Sequence, residues 1–216
     1  MKVKMEFMQE SVRKTRKPQA RTEATKAKIL DAALEVFVQQ GFENANLDLV
    51  AKQAGCSRGA IYAHYTSKEE VFLGLVEHRV QTKFAVMRAK LDKETELEKR
   101  RSLFQYWAVS QIDDPSWGIL NLEYKLYAVR HPEAREKLLH LYESLFADSA
   151  KDFLELLFGQ GLSKAQKTSG ERRLAALGGV LSGLVLESQF RPELLPPTRL
   201  RTIAEEVFAN LIVPLH

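Results

Sequence analysis

Arg58, Gly59 and Tyr62 share one face of a short helical run, and Lys68 stands in the first turn of the next. These are groups for non-covalent work. Arg58 offers a guanidinium fork that matches guanine O6 and N7. Gly59 lets a backbone come close to its partner, at about 1 kcal/mol of lost helix propensity. A cation at Lys68 opposes the helix dipole by ~0.3–1 kcal/mol. That placement makes sense if the ammonium meets a phosphate, which helix termini also attract; the plainer reading is a solvated charge. Covalent chemistry has no comparable constellation. Walker and dinucleotide glycine motifs and HExxH are absent. His64, His78, His131, His140 and His216 never make the Glu-x-x-His motif of di-iron bundles. No catalytic residue, metal ligand or cofactor is expected.

The elements that must position these groups are written in caps and apolar spacing. Asn46 is a good N-cap. Leu47, Val50, Ala51 and Ala54 then fall at i, i+3, i+4 and i+7, one helical face. Gly55 permits the positive φ of a sharp turn, and Ser57 caps a second helix over Arg58 to Tyr65. There Ile61 and Tyr65 form the inner face. Two short helices around a glycine turn predict a helix-turn-helix whose second helix enters the DNA major groove. A preceding helix, about Thr25 to Gln40, carries Ile29, Ala33, Val36 and Phe37 as its stripe. Gly41 fits its C′ position, with Phe42 folding back on Phe37. Ser67 and Glu70 form a capping box for a helix running to about Leu91. At over 20 residues it spans roughly 30 Å, so it is expected to join the reading head to the rest as a stiff rod.

The run KILDAALEVFVQQGFENANLDLVAKQAGCSRGAIYAHYTSKEEV resembles the DNA-binding domain of TetR-family transcriptional regulators, over roughly residues 25 to 75. The resemblance implies that Ser57, Arg58, Gly59 and Ala60 lie at the groove-facing start of the recognition helix. Tyr62 and His64 resemble the family's phosphate contacts, with Asn46 and Lys68 clamping the backbone on either side. It also implies a small-molecule pocket in the helices that follow. Trp107, Trp117, Tyr124, Tyr127 and Phe146, with the carboxylate Glu123, are candidates to line it; aromatics at helical spacing also serve as plain core.

The remaining chain reads as helices throughout, with boundaries near Glu94–Ile112, Pro115–Arg130, Pro132–Phe158, Gly170–Phe190 and Thr198–Leu211, and a polar loop of about ten residues after Gly159 and Gly161. In the penultimate helix Ala175, Gly179, Ser182 and Gly183 line one face and leucines the other. A helix apolar on both sides must be buried on both. The small-residue face, with Ile203 and Val207 of the last helix, is expected to form a four-helix homodimer interface; tight packing within one chain is the alternative.

Charge points the same way. Residues 1–66 hold 11 Lys/Arg against 7 Asp/Glu, and residues 67–216 hold 21 against 21, so the net +4 resides in the first part. A basic head suits phosphate contact, although a solvated tail explains residues 1–21 equally well. That segment reads as a flexible basic arm. Cys56 is the single cysteine, so no intrachain disulfide forms. No signal peptide or membrane-length apolar run is present, and a cytoplasmic protein is expected.

The sequence thus predicts an all-α chain: arm 1–21, a three-helix DNA-binding domain 22–67, and a larger helical ligand-binding and dimerisation domain 68–216. The expected function is a dimeric repressor of a palindromic operator in double-stranded DNA, released by a small-molecule effector. An activator, or an architectural protein without an inducer, is the alternative.

Overall fold

A computed structural model describes residues 22–213, and the side chains of all of these except 146–153 and 156. The expected arm lies outside the described residues. Among them, all regular structure is helical. The chain divides into two compact units between Leu75 and Val76.

The first unit holds α1 (residues 22–40), α2 (Leu47–Ala54), α3 (Arg58–Tyr62) and the opening turns of α4 (Lys68–Leu91). The stripe of α1 is buried as its spacing dictates: Ile29, Ala33 and Phe37 are wholly inaccessible. Gly41 takes φ +74°, and the chain turns so that Phe42 lies 5.6 Å from Phe37, ring to ring. Phe72 of α4 completes the cluster, 6.0 Å from Phe37 and 5.5 Å from Phe42. Each ring of such a trio stabilises the core by its burial and by tilted ring contacts. Asn46 caps α2 as expected, and Gly55 ends it at φ +61° with its amide on the Lys52 carbonyl.

α3 is shorter than its apolar pair suggests. It ends at Tyr62, three residues before Tyr65. Tyr65 instead lies against α4 at Gly74, where a Cβ would stand 2.8 Å from its ring. The contact that keeps Tyr65 inward is made by packing outside the helix.

The second unit comprises the rest of α4, then α5 (Leu97–Val109), a 3-10 turn (Ser110–Asp113), α6 (Pro115–Arg130), α7 (Pro132–Phe158), α8 (Lys164–Phe190) and α9 (Pro197–Leu211). Its core joins Phe84, Leu91, Phe104, Leu157, Leu181 and Phe208. Asp114 starts α6 by accepting from the Trp117 amide at 3.1 Å, with Pro115 in the first position. α8 begins six residues earlier than its apolar pattern: Ser163 Oγ accepts from the Gln166 amide and Gln166 Oε1 from the Ser163 amide, a full capping box. The expected polar loop shrinks accordingly. Two glycines allow close crossings on α8. A Cβ on Gly118 of α6 would meet Val185 at 2.9 Å, and one on Gly170 would meet Leu154 at 3.0 Å and Phe158 at 3.1 Å.

Candidate nucleic-acid interface and cavity

In the first unit α3 is amphipathic in the required sense. Ile61 is fully buried, whereas Arg58, Gly59 and Tyr62 are exposed. The Arg58 Nε lies 3.1 Å from the Asp48 carboxylate, and its Nη2 donates to the Tyr62 hydroxyl at 3.4 Å with the guanidinium over that ring. The hydroxyl first, and then the carboxylate, favour the charged guanidinium. Arg58 is thus held across α3 rather than left to wander. Gly59 is open: a Cβ there would meet only Ser57 Oγ, at 3.8 Å. No packing inside the chain demands a glycine.

The polar residues flanking α3 have structural work of their own. Asn46 Oδ1 accepts from the amides of Asp48 and Leu49 at 3.1 and 3.0 Å, and Ser57 Oγ from that of Ala60 at 3.2 Å. Ser57 is exposed, while Ala60 and His64 are half-buried, the imidazole edge-on to Tyr65.

Lys68 differs from the expectation. Its ammonium donates to the carbonyls of Phe42, Glu43 and Ala45 at 2.9, 2.6 and 3.3 Å, and sits 4.9 Å from the Phe42 ring centre. All three protons of the ammonium are thereby directed at the chain. The unfavourable place at the start of α4 is offset by stapling the α1–α2 loop, and in this geometry no donor is left for a phosphate.

The second unit holds a cavity of about 590 Å³, within the range of small-molecule sites. Trp107 and Trp117 line it, as expected, beside Phe84, Phe104, Ile112 and Leu181. Glu123, Tyr124 and Tyr127 do not. Tyr124 is fully buried elsewhere, its ring 6.0 Å from that of Tyr127, which stacks on His131 at 3.9 Å. The side chain of Phe146 lies outside those described. Sequence reasoning missed Gln111, Asn121, Lys125, Tyr142 and Glu171, all of them lining. Trp117, Asn121 and Lys125 follow at i, i+4 and i+8, so one stripe of α6 holds them; the spacing was available, but not which side of α6 meets α8.

The small-residue stripe of α8 divides. Ala175 and Ser182 border the cavity, with the Ser182 hydroxyl turned onto the Gly178 carbonyl at 2.8 Å. Gly179 and Gly183 face outward, with no atom within 4 Å of a would-be Cβ. Ile203 and Val207 pack on their own core. Behind Trp117, the Arg79 guanidinium of α4 lies 4.5 Å from the indole and pairs with Asp114. Among the described residues no helix is long and apolar enough to cross a membrane.

Comparison with known proteins converges on the first unit. The profile of bacterial regulatory proteins of the tetR family matches residues 29–75. The chain is similar to the HTH-type transcriptional regulator SrpR of Pseudomonas putida, 48% identical over 64 residues, 30% of each chain. It is also similar to the uncharacterized HTH-type transcriptional regulator YfiR of Bacillus subtilis, 30% identical over 146 residues, 62% of this chain and 66% of that one. These matches span 30% to 66% of the curated relatives' own length. The fold is similar to that of the transcriptional regulator FadR from Bacillus subtilis in complex with stearoyl-CoA, at a TM-score of 0.61 and 19% identity, covering 88% of this chain and 99% of that one. An outward-facing, capped α3, the matching profile and relatives named as regulators rather than enzymes lead to one assignment: residues 29–75 belong to the tetR family of bacterial regulatory proteins.

Proposed function

We propose that this chain is a cytoplasmic, ligand-responsive transcription regulator that represses by binding a palindromic operator as a homodimer. The observation that carries the reading is α3, with Ile61 buried and Arg58, Gly59 and Tyr62 presented outward. Arg58 reads base edges from a groove-facing turn that includes Ser57, Gly59 and Ala60, and Asn46, Tyr62 and His64 contact the phosphate backbone beside it. Two copies would meet half-sites about one helical turn apart, ~34–36 Å. Gly179 and Gly183, open to solvent beside the exposed Val180 and Phe190 of α8, support a helix-to-helix contact with a second copy.

The cavity serves as the effector site, a role supported by its apolar walls and by the fold it shares with a regulator seen with stearoyl-CoA. Displacing the Trp117 indole would disturb Arg79, and so the course of α4 itself. A ligand that binds the non-reading state about 5 kcal/mol better switches occupancy almost completely.

Selection of DNA sequences by the pure protein, compared with the promoter of its own gene, tests the reading. Arg58→Ala should relax base preference at one position by about 1–3 kcal/mol. Selection that returns no enriched motif, or sedimentation as monomer at micromolar concentration, contradicts it. A reporter fused to the selected promoter distinguishes repression from activation.

A further inference from the structure

We propose that the cavity takes an aromatic anion, a flat apolar body bearing one carboxylate, and that Lys125 recognises the charge. The inference rests on reading the cavity as an effector site. Its interior supplies the body's partners: Phe84, Phe104 and the two indoles offer ring faces and edges, while α8 contributes the small Ala175 and Gly178. A ring entering such walls can stack on them or meet them edge-on.

Polar groups are few and sit on three helices, Lys125 on α6, Tyr142 on α7 and Glu171 on α8. Among the described residues none of the three has a hydrogen-bond or ion-pair partner, so they are available to a ligand. Their surroundings differ. Glu171 is exposed. Lys125 is exposed along part of its length, yet burial pushes its ammonium below the ordinary lysine range, with no carboxylate to offset it. The Tyr142 hydroxyl is likewise held protonated by burial, as a donor. A carboxylate that reaches the Lys125 ammonium accepts a charge-assisted hydrogen bond from it.

A cation is the competing ligand, since aromatic walls attract cations. Here a fixed cation of the chain already holds one ring: Arg79 lies over Trp117 at 4.5 Å. A ligand cation would share the lining with the Lys125 ammonium as well as with Glu171.

The test uses the full chain and three isosteres: 2-naphthoate, 2-naphthamide and 2-naphthylmethylammonium. Trp107 and Trp117 are the only tryptophans, and both line the cavity, so quenching of intrinsic fluorescence reports occupancy directly. Naphthoate should bind about tenfold more tightly than the amide, and the cation most weakly. Lys125→Met should erase the preference for naphthoate while leaving amide affinity unchanged, and Lys125→Arg should retain it. Equal binding of amide and carboxylate, a preference for the cation, or a naphthoate preference that survives Lys125→Met overturns the assignment and leaves the effector reading standing. No quenching by any of the three overturns both.

Discussion

The two units use their polar side chains in opposite ways. In the first, Asn46, Ser57 and Lys68 are all engaged with backbone of their own chain, capping α2 and α3 and stapling the loop before α2. Arg58 is tethered by Asp48 and Tyr62. In the second, Lys125, Tyr142 and Glu171 reach a cavity without partners from their own chain among the described residues. A reading surface works by rigid presentation: its groups must stand in fixed places before DNA arrives, and internal hydrogen bonds remove the entropy of finding them. A concave site works by unmet demand, in which groups left unpaired inside the chain become the ligand's contacts.

Three substitutions bear on this contrast. The largest effect is expected at Lys68. Charge-assisted hydrogen bonds contribute roughly 1.5–3 kcal/mol each and are not additive, so Lys68→Met should destabilise the chain by about 2–4 kcal/mol in urea melts. A melt within error of the parent would show that the ammonium is free, restoring its candidacy as a phosphate clamp. Next is Gly59→Ala, which removes a flexible residue from α3 where a Cβ has room. It should stabilise the fold by up to about 1 kcal/mol while weakening operator binding in gel-shift titrations, if backbone at Gly59 comes close to DNA. Gain in both properties would mean that α3 stands off from the groove at this point. The smallest effect belongs to Tyr142→Phe. Its hydroxyl is bonded to nothing described, so stability should stay within about 0.5 kcal/mol; a larger loss by calorimetry would expose a hidden partner and blur the distinction between the units.

What the sequence displayed well was local. Caps at Asn46 and Ser57, glycines at Gly41 and Gly55 and the stripe of α1 each act over a few residues, and the folded chain uses all of them as expected. Errors arose where a local signal was outweighed or overlooked. Ile61 and Tyr65 look like one helical face, yet α3 ends at Tyr62 and Tyr65 lies against Gly74 of α4. Ser163 and Gln166 carry a capping box, but a polar first turn without leucines reads as loop. Placing Lys68 required knowing where three carbonyls of another loop point, which spacing does not encode. Likewise the tyrosines of α6 were separable from Trp117 only by knowing which flank of that helix meets α8.

The crossings of α8 have a consequence for how such a chain diversifies. Near its ends α8 is clamped against its neighbours, at Gly170 on α7 and at Val185 over Gly118. Between the clamps, Ala175, Gly178 and Ser182 border the cavity. Enlarging any of these three side chains would trim the chamber without prising the helices apart, whereas a change at either clamp shifts the scaffold itself. Descendants of this chain can therefore alter which molecules fit by single substitutions on one helix, leaving the bundle, and the exposed face of α3, as inherited.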